Sequence, residues 1–366
     1  MRRLPCPIVL LQRGQFHGRR AVVLQKNGGA VSRGGEALEL DVKDRKLLNR
    51  LQIELPLVRH PWRLIAEELE IQQEDVLERL ERLKKEGFIR RIGGIFNPAG
   101  LGFKGCLYAM RVEESLFYPT AAVVNSFRGV THNYRRHSRL NMWFTLTART
   151  EEERGAILEA IREAAGRPQL YEFPAEQVFK LKVFLNMEEM AASSAMTPGQ
   201  VGNKTLSLYK EHQEIESSDL HLIRELQGDL PLLPEPYTEI ARKTGFSLEE
   251  VFLRLQALQA GGALKRIGAV LRHREAGFTA NGLFVSVLPA ERIPEAGERL
   301  AGYAEVSHCY KRRAHPDWPY NLYAMIHGPD ETAVRKIAEH FIRQEGISEY
   351  DILFSTEELK KTSFSI

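Results

Sequence analysis

The segment from Val306 to Tyr323 concentrates side chains that can do chemistry. Its eighteen residues include two histidines, three tyrosines, a tryptophan, an asparagine and three consecutive cations. Flat aromatic rings suit a flat ligand, cations suit carboxylates, and histidine suits proton transfer or iron. A weaker version of the same pattern runs from Val130 to His137. The sequence therefore indicates a doubled fold whose second copy has been elaborated.

Composition restricts the class of protein. A chain of 366 residues with 43% hydrophobic residues can form two or more domains with real cores. The net charge of +3 leaves nucleic acid possible only through a local patch. The three cysteines, Cys6, Cys106 and Cys309, are far apart, so neither a zinc knuckle nor a disulfide framework is indicated. We expect a cytoplasmic protein without a membrane span.

The two copies align without a gap over their first parts. Asp44 corresponds to Asp219, and Arg91-Ile92-Gly93 corresponds to Arg266-Ile267-Gly268. After one inserted residue, His132 corresponds to His308. We expect a flexible basic arm over 1–37, winged helix-turn-helix domains over 38–98 and 214–274, ferredoxin-like domains over 99–190 and 275–366, and a linker over 191–213.

Each copy shows a change of periodicity along its length. Three short segments with apolar residues at helical spacing precede a strand-like run, Ile89–Phe96 or Leu264–Arg272, and Gly87 and Gly262 end the third helix. Three helices and a hairpin make a winged helix-turn-helix. The order βαββαβ follows, so we predict an α+β fold, a tandem duplication of a winged helix-turn-helix and a ferredoxin-like domain.

The third helix of each copy argues against DNA reading. A winged helix contacts DNA with the first turn of this helix, which must approach phosphates. Here that turn carries Glu74 and Asp75 in copy one, and Glu249 and Glu250 in copy two. Acids in a first turn also favour the helix dipole, which is the simpler explanation. Even so, we do not expect sequence-specific DNA binding.

The long motifs of copy two carry a resemblance to a known family. A winged helix followed by a ferredoxin-like domain resembles the Lrp/AsnC regulators. Copy two adds KRIGAVLRHR over 265–274, GFTANG over 277–282, VSHCY over 306–310 and WPYNLY over 318–323. These blocks resemble the siroheme decarboxylases, which occur as two-subunit complexes or as a fused chain. Copy one, with RRIGGIFN over 90–97, resembles the other subunit type.

The resemblance implies a carboxy-lyase of haem or d-type haem biosynthesis. It would remove carbon dioxide from the acetate side chains on rings C and D of siroheme and yield didecarboxysiroheme. No cofactor would be required, because the substrate carries the iron. In this family the DNA-reading function is thought to be lost. The two copies would pair within one chain, and a further homodimer remains open.

Siroheme is a flat iron tetrapyrrole with eight carboxylates, so its site needs apolar walls and several cations. Protonating the ring creates an electron sink, the carboxylate leaves, and the carbon left behind takes a proton. His308 and His273 are the candidates for delivering the proton, and one of them can instead approach the iron. The candidates for substrate binding are Arg90, Arg91, Arg266, Arg272, Arg274, Asn281, Tyr310, Lys311, Arg312, Arg313, Trp318, Tyr320, Asn321 and Tyr323.

Simpler interpretations compete with these roles. His308 can be a core histidine, Tyr310 and Tyr323 can be sheet core, and Trp318 can anchor a loop. Cys309 should point to the face of the strand opposite His308. Copy one lacks the Trp-Pro-Tyr-Asn block, so we expect one working site, mostly from copy two and completed by copy one.

Two other functions remain open from the residues alone. An Lrp-like transcription regulator would bind duplex DNA in a salt-sensitive way. A non-catalytic tetrapyrrole sensor would bind siroheme tightly and leave its mass unchanged. Incubation with siroheme distinguishes both from a decarboxylase, because only a decarboxylase lowers the mass of siroheme.

Overall fold

A computed structural model describes residues 40–181, 215–272 and 280–366. The expected arm over 1–37, the linker over 191–213, and His273 and Arg274 lie outside these ranges. Copy one here means residues 40–181, and copy two means the described residues from 215 onward. In the described ranges, no helix has both the length and the apolar character needed to cross a membrane.

Copy one begins with three helices and a wing strand, and it continues with one ferredoxin-like unit in the order βαββαβ. Its third helix is followed by Gly87 at a φ of 86°, a left-handed conformation that glycine adopts readily. The elements are α1 (Val42–Ile53), α2 (Pro61–Leu69), α3 (Gln73–Lys85), β1 (Ile89–Phe96), β2 (Lys104–Met110), α4 (Glu114–Ser126), β3 (Val130–Arg136), β4 (Met142–Ala148), α5 (Glu151–Ala164), β5 (Leu170–Phe173) and β6 (Ala175–Leu181).

Copy two repeats this order with a longer last strand. The Ser247 side chain accepts a hydrogen bond from the backbone N–H of Glu250, and the backbone N–H of Ser247 donates one to the Glu250 carboxylate, so the third helix starts with a capping box. The elements are α6 (Ser217–Gln227), α7 (Pro236–Thr244), α8 (Leu248–Ala260), β7 (Leu264–Leu271), β8 (Ala280–Ser286), α9 (Ile293–Ala301), β9 (Val306–Arg312), β10 (Leu322–Gly328), α10 (Glu331–Glu345) and β11 (Tyr350–Lys361).

The wing is shared between the copies, so the hairpin expected within each copy is wrong. Strand β1 pairs antiparallel with β7, with Gly93 opposite Gly268. Each copy supplies one strand here, and each strand satisfies its backbone groups on its counterpart. A Cβ on Gly93 would lie 2.4 Å from the carbonyl oxygen of Gly228, and one on Gly268 would lie 2.4 Å from that of Leu51. Glycine therefore allows the first helix of each copy to end against the wing strand of the other.

The two ferredoxin-like sheets also exchange strands. The strand order is β5-β2-β4-β3-β11-β8-β10-β9-β6. Strand β11 pairs with β8 up to Phe354 and then crosses to pair with β3 of copy one over Ser355–Lys361. Strand β6 crosses in the opposite sense and pairs with β9 of copy two. The pseudo-symmetric pairing expected from the duplication is confirmed, and the crossing strands hold the two copies together.

Three cores organise the sheet region. In each copy, one face of the sheet packs under its own two helices. The opposite faces of both sheets pack against each other in a shared layer, called here the inter-sheet core. Trp143 and Phe173 of copy one stack at 5.4 Å between ring centroids in this core. Leu283, Val285 and Leu353 of copy two complete the contact. A separate core joins both winged-helix regions into one body.

Candidate functional site

Two matching rows of side chains run along equivalent strands. Row two consists of His308, Tyr310 and Arg312 on β9, and row one consists of His132, Tyr134 and Arg136 on β3. Alternate residues of a strand share a face, so each set of three points the same way. Cys309 lies on the opposite face, buried under the helices of copy two, as expected.

A β-bulge precedes the histidine in both rows. The register shifts between Val130 and His132 in β3, and correspondingly after Val306 in β9. The residue left over is Thr131 in copy one and Ser307 in copy two. A bulge redirects the neighbouring side chains and is common beside functional sites. Here it brings a hydroxyl to Nδ1 of the histidine, at 2.9 Å in copy one and 2.8 Å in copy two.

Row two is closely packed. The rings of His308 and Tyr310 stack with centroids 6.2 Å apart. The guanidinium of Arg312 lies 4.4 Å from the centroid of Tyr310 and 5.8 Å from that of Tyr323. It also donates a hydrogen bond to the carbonyl oxygen of Phe173 in copy one. A cation over two phenol rings is held in a fixed position, suited to a carboxylate of a flat ligand.

A second histidine joins row two through a hydroxyl. The Ser307 oxygen lies 2.8 Å from Nδ1 of His308 and 2.7 Å from Nε2 of His327 on β10. A hydroxyl has one proton, so it donates to one ring and accepts from the other. Burial lowers the pKa of His327 from 6.5 to about 3, with further lowering by His308 and Lys361. His327 is therefore neutral, and the Ser307 hydroxyl links the two imidazoles by donating its proton to one ring and accepting an N–H from the other.

Row one has the same geometry as row two, but its series of hydrogen bonds ends on a different residue. His132 and Tyr134 stack with centroids 6.1 Å apart, and Arg136 lies 5.3 Å from the centroid of Tyr134. The Thr131 hydroxyl oxygen lies 2.8 Å from that of Thr145 rather than from a second histidine. Burial lowers the pKa of His132 to about 4, with contributions from Lys361 and Arg90.

The wing separates the predicted cations into two groups. Arg90 and Arg91 lie at the end of the ribbon where Ile89 pairs with Leu271, and Arg272 follows that end. Arg266 is opposite Ile95, roughly 16 Å along the ribbon from Arg90 at about 3.3 Å per residue. Arg90 acts electrostatically on His132, and Arg272 acts on Arg90. The structure thus brings Arg90 and Arg272 toward row one and does not gather all predicted cations around His308.

The aromatic residues that follow row two, Trp318, Tyr320 and Tyr323, pack against other side chains of the protein. Trp318 and Tyr323 are buried in the inter-sheet core, and the Trp318 indole donates to the Tyr323 hydroxyl at 3.0 Å. Tyr320 packs edge-on against Trp318 with ring centroids 5.1 Å apart. In this structure the Trp318 and Tyr323 rings pack against protein, and their contact with a ligand stays a prediction. The loop-anchor interpretation of Trp318 describes its position.

The other predicted polar residues either contact groups of the protein or are exposed to solvent. Asn321 accepts from the backbone N–H of Leu288 and donates to its carbonyl oxygen, as Asn141 does with Val112 in copy one. Asn281 accepts from the Ser355 hydroxyl at 3.0 Å. Lys311 lies 3.3 Å from Glu176, and Arg313 is exposed. Asn321 therefore joins the start of β10 to the backbone after β8, and its predicted contact with a ligand stays a prediction.

An open cleft lies at the Arg136 end of row one. Its volume is about 690 Å³, within the range of roughly 300–1,000 Å³ common for ligand sites. Arg139 is also close to Asp317 and Trp318 of copy two. The cleft combines several cations with one carboxylate, which favours an anionic ligand. Its lining residues are Arg135, Arg136, His137, Ser138, Arg139, Asn141, Thr356 and Glu357.

Sequence reasoning missed Ser307, His327 and Lys361. A single histidine in a strand such as β10 carries no signal of a partner, and the bulge that aims Ser307 toward it is not visible in the sequence. Lys361 could be placed only with the crossing of β11, which sets it opposite His132. The correspondence of His132 and Tyr134 with His308 and Tyr310 was predictable, and the matching rows confirm it.

Comparison with protein families matches most of the chain. Residues 100–180 and 275–360 match the family described as AsnC-like ligand binding domain. Residues 44–90 and 219–264 match the siroheme decarboxylase NirDL-like HTH domain. Both families therefore occur twice, in the order expected from the duplication.

The similar proteins cover either most of this chain or a little less than half of it. A siroheme decarboxylase of Hydrogenobacter thermophilus is 33% identical over 319 residues, covering 86% of this chain and 92% of that protein. A siroheme decarboxylase alpha subunit of Desulfovibrio desulfuricans is 37% identical and covers 45% of this chain and 91% of that subunit. The crystal structure of the siroheme decarboxylase NirDL in co-complex with an iron-uroporphyrin III analogue has a TM-score of 0.68 at 30% identity, covering 88% of this chain and 95% of that one.

Proposed function

The chain belongs to the siroheme decarboxylase family, and we propose that it removes carbon dioxide from the acetate side chains on rings C and D of siroheme. The product is didecarboxysiroheme, an intermediate for haem or d-type haem. The support is family membership over most of the chain, together with row two, where an imidazole, a phenol and a guanidinium occupy one strand face. The enzyme is a carboxy-lyase and needs no separate cofactor, because iron arrives with the substrate.

Each decarboxylation consumes one proton. The acetate carboxylate leaves as carbon dioxide, its bonding electrons remain on the ring system, and the carbon left behind becomes a methyl group by taking a proton. The protein must therefore hold one carboxylate where water is scarce and supply a proton nearby. Proton transfer by a positioned side chain contributes roughly 10²–10⁴ in rate.

His308 is the proposed proton donor: in its imidazolium form it gives one ring N–H proton to the carbon left by carbon dioxide and becomes a neutral imidazole. Its Nδ1 is held by Ser307, which orients the imidazole on the strand face that it shares with Tyr310. The Ser307 hydroxyl continues to His327, which stays neutral and anchors the other side of this hydroxyl. His273, the other predicted candidate, lies outside the described residues, and its role as acid or as neighbour of the iron remains a prediction.

Arg312 is the proposed clamp for a substrate carboxylate. Its guanidinium is largely buried over Tyr310, and its Nε has no hydrogen-bond partner among the described residues. A buried guanidinium with an unused N–H is suited to a charge-assisted hydrogen bond. Arg266 is a further candidate for a peripheral carboxylate, as the sequence suggested. Lys311 and Arg313 flank Arg312 and alternate with it, so their contact with the substrate stays a prediction, as does that of Arg274 outside the described residues.

Anaerobic incubation of the purified protein with siroheme tests the function. Mass spectrometry of the extracted tetrapyrrole should show the loss of two carbon dioxide units. An unchanged mass with tightly bound siroheme would contradict the proposal and favour a sensor. No mass change and no siroheme binding would contradict both functions.

The regulator alternative has less support. In α3, Arg79 and Arg82 pair with Asp44, which is fully buried, at 2.8 and 2.6 Å. In α8, Arg254 pairs with Asp219 at 2.7 Å. These cations hold the helices within the protein, and Glu250 is engaged in the capping box of α8. Helices whose cations are paired internally and whose first turns are acidic are poor partners for phosphates.

A further inference from the structure

Row one reproduces the ligand-facing part of row two. The histidine–tyrosine separations are 6.1 and 6.2 Å, and the ring planes are inclined by 28° and 25°. Both arginines lie over the tyrosine, and both have an Nε without a hydrogen-bond partner among the described residues. Packing alone does not require a cation at the same place in both copies. The retained geometry indicates that row one also faces a ligand.

Cations converge on row one. Lys361 is opposite His132 in the strand pairing, and Arg90 lies near enough to lower the pKa of His132. Arg272 follows the same end of the wing and in turn lowers the pKa of Arg90, while Glu358 opposes this effect. Lys361 lies 3.6 Å from Glu358, the carboxylate that also acts on Arg90, so one carboxylate is shared among these three cations and the surface still favours an anion. A ligand with several carboxylates supplies that charge.

The cleft at Arg136 extends this surface. Arg136 is buried and donates to the carbonyl oxygen of Leu353 at 2.6 Å, and Arg139 is half exposed on the cleft wall. From His132 to Arg136 the strand covers roughly 13 Å at about 3.3 Å per residue. That length suits a macrocycle with its peripheral carboxylates rather than a single small anion.

The two copies differ where a proton would be supplied. In copy two, the hydroxyl chain from His308 ends on the imidazole of His327. In copy one it ends on the Thr145 hydroxyl, which has no basic nitrogen to exchange a proton with. Neutral His132, with Nδ1 held by Thr131, can still offer Nε2 to a metal, as metal-bound histidines usually do.

We propose that row one is a second binding site for an iron tetrapyrrole with carboxylate side chains, which binds its ligand through His132 and does not decarboxylate it. The inference rests on the proposed function of row two, because it takes the same class of ligand.

Titration with iron uroporphyrin III tests the second site without requiring any reaction. Binding is followed by the Soret absorbance at equilibrium. The wild-type chain should bind two equivalents and His132→Gly one equivalent. Added imidazole should restore the second event in His132→Gly, which a misfolded variant would not allow. Arg312→Met should weaken the other event, because its residue belongs to row two.

The outcomes distinguish this inference from the proposed function. One equivalent in the wild type, weakened by Arg312→Met and unaffected by His132→Gly, would overturn the second site and leave the decarboxylase proposal standing. Two equivalents in His132→Gly without imidazole would also overturn the assignment to His132. No binding by the wild type would overturn both.

Discussion

The Ser307 hydroxyl oxygen lies 2.7 Å from Nε2 of His327, on the neighbouring strand. The same oxygen is 2.8 Å from Nδ1 of His308. The bulge in β9 creates this connection, because it leaves Ser307 out of register and turns it toward the histidine face. The proposed proton donor is therefore oriented by a residue on its own strand and by a second imidazole.

Ser307→Ala should lower kcat and leave KM almost unchanged, because it frees His308 without altering the carboxylate clamp. Loss of such an orienting partner commonly costs roughly 10- to 100-fold. Ser307→Thr should recover most of the rate, since Thr131 makes the equivalent bond in copy one. Steady-state kinetics under anaerobic conditions provides the measurement. Equal rates in the alanine and threonine variants would remove the hydroxyl from the mechanism.

Arg312→Met should weaken siroheme binding while preserving the bulk of the side chain. A hydrogen bond to a charged group is worth about 1.5–3 kcal/mol, so the dissociation constant should rise roughly 10- to 150-fold. Arg343→Met is the matched control, because Arg343 is exposed on α10. Fluorescence quenching by siroheme measures both variants. Equal affinities in the two variants would exclude Arg312 as the clamp.

Trp318→Ala should act on stability rather than on binding. Trp318 is 4% exposed, contacts Trp143 at 5.6 Å and donates to Tyr323 in the inter-sheet core. Removal of such a side chain typically costs about 3–5 kcal/mol of unfolding free energy. Urea unfolding measures this loss. A variant of normal stability that binds siroheme poorly would instead restore the stacking role expected from the sequence.

The stability of the protein should fall as the pH falls from about 6.5 to 4, partly because of His132. Its pKa is lowered from 6.5 to about 4 in the folded chain, so the unfolded chain takes up the proton first. The contribution amounts to about 3 kcal/mol, present above pH 6.5 and lost toward pH 4. Denaturant unfolding at several pH values should show a shallower decline for His132→Asn. Identical slopes in both proteins would contradict a buried neutral His132.

Local patterns predicted the elements well, since they depend on short-range physics. Apolar spacing located all six winged-helix helices, and Gly87 marked a helix end through its left-handed backbone conformation. The βαββαβ order of each copy is confirmed by the sheet order. The shared wing was not predictable, because a single strand does not indicate which edge it will join.

The site was predicted only in part. The His308–Tyr310 face followed from strand alternation, and the structure confirms that Cys309 lies on the other side. The grouping of Arg90 and Arg272 near His132 depends on the exchanged wing, which no spacing reveals. Trp318 was assigned to a ligand because aromatic residues beside cations suggest a cavity, but the tight contact between the two sheets also requires large rings there.

The most direct test of the account is the first-turnover rate of carbon dioxide release by His308→Ala with siroheme bound at saturation. Siroheme should still bind, and release should slow by roughly 10²–10⁴-fold, the contribution of a positioned acid. A rate equal to that of the wild type would place the proton transfer outside row two and contradict the assignment of the reaction to copy two.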